Sequence, residues 1–209
     1  MARRGWRRPP RLGRRPASRN PKAKMIIVCE GRVTEPLYLS SFARHCGAYL
    51  GVDLVLEGGA GVPLSVVRRA RQLFRESTSE FSERDQAWAV FDRDAHPGFE
   101  QAINEAGAGS ISVAYSNPCF ELWLVLHMRE HDSPVQRAEI QRILQGLMPA
   151  YDPKKSKRVD FFAISDAVEV AERRAEVMDR RRANEGAPRG NPSCTVYKLT
   201  REIRKQRPK

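Results

Sequence analysis

No run in the 209 residues approaches the roughly 20 consecutive apolar positions that a membrane-spanning helix requires. The N-terminus is rich in arginine, but no apolar segment follows it, which excludes a secretory signal. The pairs Arg3–Arg4 and Arg7–Arg8 fail as an export signal for the same reason. Cysteine is scarce and scattered. Cys29, Cys46, Cys119 and Cys194 form no C-x-x-C pair, so neither a disulfide framework nor a zinc site is suggested. These absences predict a cytoplasmic chain. With 41% apolar and 30% charged residues, it has enough length for one well-packed domain.

Acid is missing from one stretch altogether. Residues 1–24 carry eight Arg and two Lys and no Asp or Glu, leaving 27 basic against 25 acidic residues in the remainder. The net charge of +12 therefore belongs to an N-terminal arm rather than to the domain. With little to bury, the arm over 1–24 is expected to be disordered in isolation. Arg3, Arg4, Arg7, Arg8, Arg14 and Arg15 suit contacts to nucleic-acid phosphates, with Trp6 available for base stacking. A solvated extension without a defined role is the other reading of the same composition.

The remaining chain alternates between two periodicities. MIIVC (25–29), VDLVLE (52–57), QAWAVF (86–91) and SISVAY (110–115) are short apolar or β-branched runs, predicting four strands. Helical stripes over 34–46, 63–82 and 98–107 separate them, with Thr34 a candidate N-cap and Pro36 tolerated in the first turn. This alternation predicts an α/β fold, with a mainly parallel four-stranded sheet flanked by helices over residues 25–116. The segment 117–206 reads as an α-helical C-terminal extension, with helices at 118–128, 135–148, 160–184 and 193–205.

Ligands of open parallel sheets bind beyond the carboxyl ends of the strands. Glu30 follows the first strand, and Asp92 and Asp94 follow the third as a D-x-D pair whose side chains leave an extended backbone on one face. Carboxylates gathered there repel one another unless a cation neutralises them. Hard oxygen ligands favour Mg²⁺ or Mn²⁺ over zinc, and such an ion activates water against a phosphate. The plain alternative for D-x-D is a pair of solvated loop acids.

Further candidates surround this trio. Glu35 falls in the first helical turn, where the helix dipole already accounts for a carboxylate. Glu121 lies within the apolar CFELWLVLH and needs a buried partner. As helix positions four apart, Asn117 and Glu121 would share a face. Tyr151, Lys154 and Lys155 sit in a basic loop able to hold phosphates or merely to be solvated. His127 reads as a satisfied core histidine, His96 as a loop residue, and the GGAG segment as a turn.

Taken together, VCEGRVTEPLYLSSF, AVFDRDAH, YSNPCFELWLVLH and GNPSCTVYKLTREI resemble the RloB family over residues 24–206. That family in turn resembles the Toprim domains of topoisomerases, primases and overcoming-lysogenisation-defect nucleases. The resemblance implies a Toprim-like, Rossmann-like fold and divalent-metal phosphodiester chemistry. It assigns proton transfer to Glu30 and Mg²⁺ or Mn²⁺ ligation to Asp92 and Asp94 along with Glu30. Glu35, Asn117, Glu121, Lys154 and Lys155 are the supporting residues. It also implies a nuclease of DNA or RNA, tRNA included, in restriction or abortive-infection loci beside an AAA- or ABC-type ATPase partner. The sequence departs from many Toprim sites at His96, where a further acid is usual two residues beyond the D-x-D. A non-catalytic nucleic-acid- or nucleotide-binding module, and a nucleotidyl or phosphoryl transferase, are the rival readings.

Overall fold

The computed structural model describes residues 22–77, 83–93 and 96–208. The six arm arginines named above and Asp94 lie outside the described residues. The elements run β1 (Ala23–Cys29), α1 (Thr34–His45), β2 (Val52–Gly58), α2 (Pro63–Ser77), β3 (Gln86–Asp92), α3 (Phe99–Ala108), β4 (Ser112–Asn117), α4 (Glu121–Met128), α5 (Arg137–Leu147), α6 (Val168–Asn184), β5 (Ser193–Cys194) and α7 (Val196–Lys205). Strands β1 to β4 are mutually parallel, β5 is antiparallel, and the order across the sheet is β2-β1-β3-β4-β5. The protein is α/β with a Rossmann-like arrangement.

The apolar runs of β1 and β3 follow from their central position. Alternate residues enter opposite layers. Met25, Ile27, Cys29, Trp88 and Val90 join α1 and α4 to α7 in the larger core. Ile26, Val28, Ala87, Ala89 and Phe91 meet α2 and α3 in the smaller one. The helical extension beyond residue 117 therefore covers one face of the sheet together with α1.

Several boundaries differ from the sequence reading. Strand β1 begins at Ala23, inside the segment assigned to the arm. A fifth strand, β5, takes the first residues assigned to the last helix, so α7 starts at Val196. Strand β4 begins at Ser112, after Ser110 turns the chain at φ 56°. The stretch 160–184 divides into a 3₁₀ turn, Phe162–Ala167, and α6. Thr34 is the first residue of α1 and not its cap, and its hydroxyl donates to the Lys157 carbonyl at 3.1 Å. Among the described residues, no helix is long and apolar enough to cross a membrane.

Candidate functional site

The parallel strands end together at one edge, and the acids stand there. The Glu30 amide donates to the Val90 carbonyl at 2.9 Å, tying the residue after β1 to β3. In return, the Asp92 amide donates to Oε2 of Glu30 at 3.2 Å. Backbone pairing of adjacent strands thus places both acids without help from any loop. Asp92 closes β3 and is buried. Its Oδ2 accepts from Nη2 of Arg137, the first residue of α5, at 2.9 Å.

Glu35 turns back from the first turn of α1, where Oε1 accepts from the Gly31 amide at 3.1 Å. Glu121 begins α4, and Oε1 accepts from Tyr151 Oη at 2.6 Å and from Gln141 Nε2 at 2.9 Å. Arg137 and Gln141 are four residues apart on α5, one helical turn. A single face of α5 therefore serves both Asp92 and Glu121. Glu30, Glu35, Asp92 and Glu121 line one cavity of about 600 Å³, together with Arg32, Arg137 and Lys157.

Burial and mutual repulsion shape the charges. Burial pushes the Asp92 carboxyl well above the usual range; Glu35 pushes it further, Arg137 opposes, and Glu121 and Glu30 add to the rise. Glu35 is raised chiefly by burial, against its backbone hydrogen bonds, with Glu121 and Glu30 contributing. Glu121 is also penalised by burial, but hydrogen bonds from Cys119, Tyr151 and Gln141 win and lower it. The site holds one firmly ionised carboxylate and two whose charge is resisted. An added cation would relieve that resistance, and the donor set is all oxygen, so the residues present fit a hard divalent ion. Among the described residues, no three His, Cys, Asp or Glu side chains already converge as a set of metal ligands.

Strand-end Glu30 and Asp92, with buried Glu121 and the β5–α7 segment folded onto β4, reproduce in space the four motifs quoted above. The family model described as RloB-like protein matches residues 25–203. The chain belongs to the RloB-like family. No curated protein and no solved structure gives a significant match to it.

In this RloB-like chain, three assigned residues stand elsewhere. Asn117 ends β4 rather than opening a helix, and its side-chain Nδ2 donates to the Arg189 carbonyl at 2.9 Å. It does not join Glu121, because the Asn117–Pro118 junction breaks the helical spacing on which the pairing rested. Lys154 and Lys155 are exposed in a turn where both amides donate to Asp152 Oδ1. The cavity takes Lys157 from that loop instead. Tyr151 is fully buried on Glu121, away from any phosphate-holding loop role. The GGAG turn reaches the cavity through Gly59 and Gly61, both at positive φ.

His127 is a core residue. Nδ1 meets the Trp123 carbonyl at 2.9 Å, which can only accept, so Nε2 accepts from Tyr38 Oη at 3.0 Å. The residues that the sequence reading missed are Arg32, Arg137, Gln141 and Lys157. One signal for Arg137 was present: a cation at a helix N-terminus opposes the helix dipole and needs a compensating anion.

Proposed function

We propose that this RloB-like protein is a divalent-metal-dependent phosphodiesterase that hydrolyses nucleic acid. The observation carrying this reading is the apposition, in one cavity beyond the strand ends, of four carboxylates and three cationic side chains. One set suits a hard metal ion and the other suits a phosphodiester, and both face the same space.

Glu30 and Asp92 would hold Mg²⁺ or Mn²⁺, and the Toprim resemblance adds Asp94. The bound ion supplies a lowered pKa for its water and neutralises phosphate charge. Lys157, Arg32 and Arg137 bind and orient the phosphate oxygens. Glu30, exposed more than Asp92, exchanges a proton with the attacking water or the leaving oxygen. Glu121 stays ionised under its Tyr151 and Gln141 hydrogen bonds and keeps the cavity's potential favourable to a cation. The family resemblance supports a role in restriction or abortive infection with an AAA- or ABC-type ATPase, with arm residues Arg3, Arg4, Arg7, Arg8, Arg14 and Arg15 on nucleic-acid phosphates.

The test is incubation of the full chain with single-stranded DNA, duplex DNA and tRNA in Mg²⁺ or Mn²⁺. Cleavage is expected for at least one, falling on the order of 100-fold in Asp92→Asn. Undiminished cleavage in that variant overturns the assignment. The Arg137–Asp92 ion pair favours a second reading, a binding module without chemistry. That reading requires nucleic-acid binding that persists in Glu30→Ala with no cleavage by either protein.

A further inference from the structure

Resting on the metal-dependent reading above, we propose that Arg137 is an exchangeable counter-ion. It neutralises Asp92 while the site holds no metal, and it is released to the substrate phosphate when a divalent ion takes Asp92.

Three observations carry this. First, the Arg137 guanidinium lies 2.9 Å from Oδ2 of Asp92, an acid placed by its strand at the ligand-binding edge. An ion coordinated by the same carboxylate would bring a divalent charge against the guanidinium, and the two cations compete for one anion. Second, the backbone under Arg137 is fixed from both sides. Asn191 clamps Val135 with two hydrogen bonds: Oδ1 accepts from the Val135 amide at 3.1 Å and Nδ2 donates to its carbonyl at 2.8 Å. One turn beyond Arg137, Gln141 is tied to Glu121. The Arg137 side chain itself is 37% exposed and lines the same cavity as Asp92, so the guanidinium stands beside the space a substrate phosphate would enter. Third, Arg137 opens α5, where the helix's positive end disfavours a cation lacking a close anion. Once Asp92 is committed to a metal, a phosphate in the cavity offers Arg137 a new anion, with Arg32 and Lys157 lining the same space.

Metal and phosphate then favour one another's binding, and the coupling is reciprocal. A site of this kind binds either ligand weakly by itself and both strongly together. The metal-free enzyme is thus kept from loading adventitious divalent ions, because its own arginine occupies the contested carboxylate.

Mn²⁺ titration of the full chain, followed by the loss of the free-ion electron paramagnetic resonance signal, tests this without any cleavage. In Arg137→Gln, Mn²⁺ is expected to bind roughly three- to tenfold more tightly than in the wild type. Arg137→Lys, which keeps the charge, is expected to stay within about twofold of wild type, and circular dichroism checks that both variants fold. Thymidine monophosphate should strengthen Mn²⁺ binding in the wild type and lose that effect in Arg137→Gln. Mn²⁺ affinity equal to or weaker than wild type in a folded Arg137→Gln overturns the exchange, as does equal thymidine monophosphate coupling in the two proteins. The Asp92→Asn variant separates the two levels. If Mn²⁺ binding ignores that substitution, the metal-site reading itself fails. If binding depends on Asp92 but not on Arg137, only the exchange fails.

Discussion

Gly31 and Glu35 are built against each other: the Gly31 amide donates to Oε1 of Glu35 at 3.1 Å, and a methyl on Gly31 would lie 2.2 Å from Oε2. The turn after β1 can hold a buried carboxylate because it has no side chain at this point. Gly31→Ala is therefore expected to drive Glu35 off the amide. The stability cost is about 1–2 kcal/mol, read as a fall of several degrees in Tm. If the proposed function holds, metal-dependent turnover should fall about tenfold or more through the disturbed carboxylate cluster. Full activity in Gly31→Ala would remove Glu35 from the functional set.

Tyr151 is one of the donors, with Cys119 and Gln141, that keep Glu121 charged. Its 2.6 Å bond and that of Gln141 help to hold the Glu121 carboxyl below its ordinary value near 4.5. A group depressed in the folded state contributes stability above its unfolded pKa and loses it as pH falls through the folded one. Tyr151→Phe should then cost about 1.5–3 kcal/mol at pH 7, the range for a hydrogen bond to a charged group. The gap between variant and wild type should narrow in urea unfolding below pH 4.5. A gap that stays constant with pH would mean that Tyr151 acts through packing alone.

His127 gives the protein an acid sensitivity that lies in the core, away from the carboxylates. Burial pushes its imidazole down to about 4, against an ordinary 6.5. Between those values the unfolded chain takes a proton that the folded chain refuses, so stability falls as pH drops from 6.5 to 4. The contribution is on the order of 3 kcal/mol at full extent. His127→Gln should flatten this part of the pH–stability curve relative to wild type, with chemical denaturation at pH 7, 5.5 and 4 as the measurement. Parallel curves for the two proteins would refute the assignment.

What could be read in advance divides along a physical line. β1 and β3 were legible because strands buried on both faces carry unbroken apolar runs, and the acids at their ends follow directly from the topology of parallel sheets. Glu121 was legible as a charge with no polar neighbour in sequence. Its partners were not, because Gln141 and Tyr151 arrive by tertiary packing. Asn117 was misplaced because a spacing of four residues reads as helical even where a strand ends and a proline intervenes. β5 is two residues long, too short for any period to register. In the basic loop, Lys157 and its neighbours Lys154 and Lys155 look alike in composition. Only the turn around Asp152 decides which of them faces the cavity.

The segment 189–195 has a consequence for the order in which the molecule can be made. The Arg189 carbonyl receives Asn117, Asn191 clamps the approach to α5, β5 pairs with β4, and Thr195 Oγ1 accepts from the Tyr115 amide at 2.9 Å. Glu30 and Asp92 leave the ribosome some hundred or more residues before these stitches. During that interval the rim of β4 is bare and Arg137 has no fixed base from which to reach Asp92. The acids are therefore made first, and the site closes only after residues 189–195 have been added.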